Sequence, residues 1–393
     1  MRTGRLLVVT LVFALLGLGI AVPPAAADTT ALQVEIPGAP KRVHGSDGRE
    51  HINYDLVITN GFASEVTLKS VTVRGGGARL LRLGGDELAN STHRTLGGEP
   101  MVTIPAWSTV ATIIDVVLPR SAGRRVPSRL TTRIDYAVPP DAPARALVGS
   151  TTVQRTSRVD RRRPIVIASP LRGAGWYNAN GCCTDPTAPH RNLVLPANGR
   201  YVTPEMFAID FTRVVGGRLY RDDGAQNSDY FAYGAPIHSA TAGRVVTTID
   251  NRPEVPPQIP LDENPTIRRP VDFNGNAVVI RVRRGVYAAY VHLQPGSVRA
   301  RRGQRVRRGQ VIGRLGNSGN SSAPHLHFGI QDRADILTSN ALPFEFDRYR
   351  FQGAAVPVGV LPSGDPTAVN IVGTPRNQRR SYPLMPAVAA YPR

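Results

Sequence analysis

Between residues 28 and about 160, apolar and polar positions alternate in runs rich in β-branched side chains. The runs INYDLVITN (52–60), VTLKSVTV (66–73), TVATIIDVVL (109–118) and LTTRIDYAV (130–138) are separated by clusters of Gly, Pro, Asn and Ser. Successive side chains of a strand point to opposite faces. Each run therefore offers one apolar face, and the spacing predicts an Ig-like β-sandwich over 28–160. The charged stretch RVDRRRPI (158–165) marks a boundary. From 161 to 351 the strands shorten and glycines multiply, as in GRVVTTID (243–250), GNAVVIRVRRG (275–285), VYAAYVHL (286–293) and QVIGRLGNSGN (310–320). RRGQ occurs at 301–304 and again at 307–310, and glycine at the same offset predicts two successive turns. Residues 251–272 read as a surface loop. Residues 352–393 contain Pro and Gly with little periodicity, which predicts a last strand and then a disordered tail. The chain is expected to be all-β.

At the N-terminus, Arg2 and Arg5 precede an apolar run and Ala25-Ala26-Ala27. This is the pattern of a signal peptide over 1–27, so the protein is expected to be secreted and to meet the membrane only during export. The net charge is +19, and of 48 basic residues only Lys41 and Lys69 are lysines. A basic exported chain suits anionic polymers such as a cell wall. Nucleic acid is not expected, because no recognition motif or aromatic stacking platform accompanies the charge. Cys182 and Cys183 are adjacent and read as a local structural pair.

Three segments carry candidate chemistry. In SAPHLHFGI (322–330), Pro324 blocks a helix and Phe328 and Ile330 favour a strand, so His325 and His327 share a face. AAYVHLQPGS (288–297) places His292 at a strand end before a Pro-Gly turn. In EMFAIDF (205–211), strand alternation puts Phe207, Ile209 and Phe211 on one face and Met206 and Asp210 on the other. An aspartate and three histidines are the parts of a hydrolytic zinc centre, which needs N and O ligands, an open position and nearby acid–base groups. His238, in PIHSA, reads as a packed histidine of the same sheet.

YGAPIHSATAGRV, GNAVVIRV, YVHLQPGS, VRRGQVIGRLGNSGNS and APHLHF occur in this order, and residues from about 190 to 335 thereby resemble the lysostaphin/LytM-type zinc metallopeptidases. These enzymes cleave peptide crosslinks of bacterial peptidoglycan. The resemblance implies a C-terminal antiparallel β-sheet groove domain with a β-coil hairpin, Zn2+ as cofactor, and peptidoglycan peptide or wall polymer as partner. It implies metal ligation by Asp210 and His327, and catalytic roles for His325 on the attacking water and His292 on the oxyanion. The sandwich lies outside it.

One position departs from the pattern. The family motif H-x-x-x-D places a ligand four residues before Asp210, where this chain has Met206. A thioether is a poor zinc ligand, and alternation turns Glu205 to the other face. His190, in NGCCTDPTAPHRN (180–192), either swings in as the third metal ligand or only holds its loop. The expected function is a secreted zinc endopeptidase of peptidoglycan crosslinks. The alternative is a catalytically degenerate relative that binds wall peptides or activates another hydrolase, with weak or no zinc. The bond cleaved and the oligomeric state are open at this point.

Overall fold

The computed structural model describes residues 28–120, 125–361 and 364–392. The expected signal peptide lies outside the described residues. Of the described residues, 48% are strand and 7% helix, so the all-β expectation holds.

The N-terminal region is two antiparallel five-stranded sheets. The first contains Leu32–Glu35, Lys41–His44, Glu50–Asn60, Thr92–Arg94 and Thr109–Val117. The second contains Val66–Gly75, Ala78–Leu83, Thr103–Ile104, Arg129–Ala137 and Thr152–Arg158. Leu130, Ile134 and Tyr136 alternate inward from the second sheet and meet Ile52, Tyr54, Leu56 and Ile58 of the first in one core, so the two sheets form a sandwich.

Glu50–Asn60 departs from simple alternation. Its outward residues His51, Asn53, Asp55 and Val57 are buried as well. The C-terminal region covers that face: Val57 and Ala111 pack on Val194, and the Asp55 carboxylate meets Arg191. Burial raises the pKa of the Asp55 carboxyl, and the Arg191 and Lys41 charges pull against it.

His51 shows how a charge survives there. Its Nδ1–H donates to Asp115 Oδ2 at 2.9 Å, and its Nε2–H faces Asp47 Oδ2 at 3.3 Å. Burial opposes the charged ring, but the two carboxylates outweigh it and lift the pKa to about 10. A raised pKa stabilises the fold fully below the unfolded value of about 6.5, and the contribution is lost as pH rises through about 10. Urea unfolding of the full chain should therefore lose stability, on the order of 3–5 kcal/mol from this group, between about pH 6.5 and about pH 10. His51→Gln should remove most of that slope. An equally steep decline in the variant contradicts the assignment.

A single large sheet dominates the C-terminal region. It runs in the order Ile165–Ile167, Phe344–Val360, Ala387–Tyr391, Gly173–Asn180, Ile209–Arg213, Leu326–Gln331, Val286–Leu293, Asn276–Arg283, Gly243–Ile249, Arg305–Val306. Its pairings are antiparallel apart from Ile165–Ile167, which runs parallel to 344–346. Pro236–His238 and Val311–Arg314 form a separate two-stranded ladder. The two RRGQ copies make the same turn. Gly303 and Gly309 take φ of +89° and +81°, and Gln304 and Gln310 accept from the backbone N–H groups of Arg301 and Arg307 through their side chains.

Two expectations are corrected. The described residues of the expected tail, 352–361 and 364–392, are not a disordered end. Phe344–Val360 continues through the sheet, Pro366–Val372, Arg376–Ser381 and Ala387–Tyr391 pair with it, and Tyr382, Leu384 and Tyr391 are buried in the core. Large aromatics, not periodicity, anchor this end. The second correction concerns the strand bearing Asp210, which begins only at Ile209. Met206 and Phe207 sit in the preceding turn, where Ala208 N–H donates to Glu205 O. Met206 is 2% exposed among apolar neighbours and shares no strand face with Asp210.

Candidate functional site

Three adjacent strands bring the site together. Asp210 lies directly opposite His327, and His327 opposite Val291 on the third strand. Side chains opposite each other in such pairs lie within reach. Asp210 Oδ1 is 2.9 Å from His327 Nδ1 and 3.4 Å from His325 Nε2, so the same-face expectation for the two histidines is met in space. The His292 ring lies 4.7 Å from that of His325, centroid to centroid. His292 takes φ of +65°, a left-handed conformation uncommon for a non-glycine residue, where the pairing of its strand shifts register. A bulge of this kind re-aims a side chain, and here the ring turns toward His325.

His190 arrives from outside the sheet. It sits in the helical turn Pro189–Asn192, with Nε2 3.0 Å from Asp210 Oδ2 and 3.8 Å from Glu205 Oε2. Asn180 holds this junction from both sides. Its side-chain N–H donates to Asp210 Oδ2 at 3.1 Å, and its side-chain oxygen accepts the backbone N–H of His190 at 3.2 Å. The His190 Nδ1–H donates to Ala208 O at 3.2 Å, which leaves Nε2 facing the carboxylate. Tyr382 OH donates to the same carbonyl at 3.3 Å and accepts from the N–H of Cys182. Cys182 and Cys183 form a buried disulfide with each other at the start of this loop.

Donor atoms of His190, Asp210 and His327 lie within 4.8 Å of one another. Two imidazoles and a carboxylate are a donor set for a metal ion. A carbonyl on the far nitrogen of His190, and the Asn180 amide on Oδ2 of Asp210, are the outer contacts that orient metal ligands. The residues present therefore fit a metal ion. Met206 takes no part. Strand alternation would turn Glu205 away, but the turn at 204–207 brings its carboxylate beside His190. Neither Glu205 nor Asn180 carries a local sequence signal for its place here.

The electrostatics divide the histidines. Burial opposes charge on His190, yet Asp210 and then Glu205 raise its pKa to about 9. Burial, followed by the neighbouring His325 and His327, pushes the pKa of His292 well below its ordinary value. His325 is shifted up: burial opposes this, and the Asp210 carboxylate overcomes it. Burial would raise the pKa of Asp210, but His190 and His325 hold it well below the carboxylate range. His238 lies elsewhere, with its Nδ1–H on Gly309 O at 3.1 Å.

Residues 226–338 match Peptidase family M23. This stretch holds His292, His325 and His327, whereas His190 and Asp210 precede it. Over 56 residues the chain is 46% identical to the peptidoglycan DD-endopeptidase ShyC of Vibrio cholerae, a match spanning 14% of this chain and 12% of that relative. Among solved structures, the catalytic domain of lysostaphin from Staphylococcus simulans is 19% identical, with 43% of this chain and 84% of that chain covered and a TM-score of 0.23. A zinc-containing peptidase from Vibrio cholerae is 13% identical over 79% of this chain and 83% of its own, with a TM-score of 0.23. The chain carries a Peptidase family M23 domain at residues 226–338.

Proposed function

We propose that this protein is an exported zinc endopeptidase that hydrolyses peptide crosslinks of peptidoglycan. The observation that carries the reading is the convergence of His190, Asp210 and His327 beside His325 and His292. Three protein ligands and an open fourth position are the usual composition of a catalytic zinc site. Bound there, zinc supplies Lewis acidity and lowers the pKa of water.

The remaining work falls to the two other imidazoles. The His325 Nδ1–H donates to Ala323 O at 2.8 Å, which leaves Nε2 to accept a proton from the attacking water. The same Nε2 then returns that proton to the departing amine as the C–N bond breaks, so one side chain balances both transfers. The His292 Nδ1–H donates to Ser318 O at 2.8 Å. With the proton on Nδ1 and the pKa held low, Nε2 of the resting ring is an acceptor, and the ring would donate to the developing oxyanion only after taking up a second proton during the reaction. The positive charge of the chain draws it to anionic wall material.

The test is hydrolysis of purified crosslinked wall peptides by the purified chain. Cleavage should stop with a chelator and return with added zinc. Folded protein that takes up zinc and cleaves no wall peptide contradicts the reading and favours a wall-binding role.

A further inference from the structure

We propose that the N-terminal sandwich positions a ligand of the metal centre. In this assignment Asp55 of the sandwich positions His190 by gripping its neighbour Arg191. The inference rests on the reading that His190 ligates the metal.

Asp55 lies on the outer face of Glu50–Asn60, and its side chain is 1% exposed. Arg191 is the residue after His190 in the turn Pro189–Asn192, and its side chain is 0% exposed. Arg191 Nη2 donates to Asp55 Oδ1 at 3.4 Å, while its Nε and Nη1 have no hydrogen-bond partner among the described residues. A guanidinium has five donors in a rigid fork, and a buried one satisfied at a single point depends heavily on that contact. The next residues are held by the sandwich too. Leu193 bridges to Leu96, Val194 N–H donates to Thr95 O at 2.8 Å, and the Val194 side chain packs on Val57 and Ala111.

The turn bearing His190 is thus fastened at two ends. Asn180 and Ala208 hold it on the site side. Asp55, Thr95, Leu96 and Val57 hold it on the other. His190 belongs to no strand of the large sheet, so sheet pairing does not place its imidazole. The sandwich supplies that constraint, through the Asp55–Arg191 ion pair above all. Asp55 is a positioning residue: it touches neither substrate nor metal.

The test uses cobalt(II) alone as probe, bound to the full chain. Its visible absorption reports ligand geometry, and chelator competition reports affinity, at a temperature where circular dichroism shows each variant folded. Asp55→Asn and Arg191→Lys should each weaken cobalt binding about 10- to 100-fold, the range expected for a contact that orients a metal ligand, and should alter the spectrum. In a His190→Ala background neither should weaken binding further, because the effect runs through that ring. If Asp55→Asn does not fold, Arg191→Lys, which keeps the charge and loses the fork, decides alone. Wild-type affinity and spectrum in the folded variants overturn the proposal, as does an equal loss in the His190→Ala background. Wild-type affinity in His190→Ala itself removes the ligand assignment, and the clamp falls with it.

Discussion

His327→Ala should lose its metal, whereas His325→Ala should keep it and lose turnover. The two imidazoles are two residues apart and both reach Asp210, yet their surroundings differ. His327 presents Nδ1 to Asp210 at 2.9 Å within the cluster that includes His190, and the His190 and His327 rings lie 4.7 Å apart. His325 uses its own Nδ1 on Ala323 O, with Ser321 Oγ also at 3.1 Å, and stands at 3.4 Å from Asp210. Removing a ligand empties a three-ligand site, so His327→Ala should contain little metal by elemental analysis and cleave nothing. Removing a general base costs typically about 10²- to 10⁴-fold in rate. His325→Ala should therefore show that loss in kcat with full metal content. If both variants held full metal and hydrolysed wall peptides like the parent, the pair would be structural.

The second large effect concerns which residue completes the ligand set. His190→Ala should weaken zinc at least about 100-fold, since even the outer contacts that orient a ligand are worth about 10- to 100-fold. Met206→His should not tighten binding. Residue 206 is packed among apolar side chains in a turn, and a histidine there buries ring nitrogens that cost roughly 1–3 kcal/mol each when unpaired. The expected outcome is a less stable protein with unchanged affinity in a chelator-buffered titration. Tightening in Met206→His, with no loss in His190→Ala, would reverse the assignment and return the ligand to the position four residues before Asp210.

Strand pairing governs what can be read of the site from the sequence. His325, His327, Asp210 and His292 lie on or beside adjacent strands, and alternation within PHLHF is a local property of those residues. Their convergence on one another follows from the register of Asp210 on His327. The pattern of the chain leaves His190 between two roles because its place depends on partners distant in sequence: Asn180, Ala208, and Asp55 of the sandwich. Met206 misleads for the opposite reason. Its alternation with Phe207, Ala208 and Ile209 imitates a strand, while the backbone there makes a turn and buries Met206 and Phe207 together. The C-terminal strands escape a reading by periodicity because RNQRRS, at Arg376–Ser381, shows almost no apolar face. Its pairing with Phe344–Val360 and the buried Tyr382 hold it in the sheet. The outward face of Glu50–Asn60 carries histidine, asparagine and aspartate, as a solvated face would, and only the docked C-terminal region reveals it as an interface.

The decisive measurement is a crystal structure of the full chain grown with zinc, with anomalous data collected on both sides of the zinc absorption edge. One anomalous peak bonded to His190, Asp210 and His327 is the expected result. A peak coordinated without His190, or protein crystallised in zinc with no peak at this cluster, contradicts it.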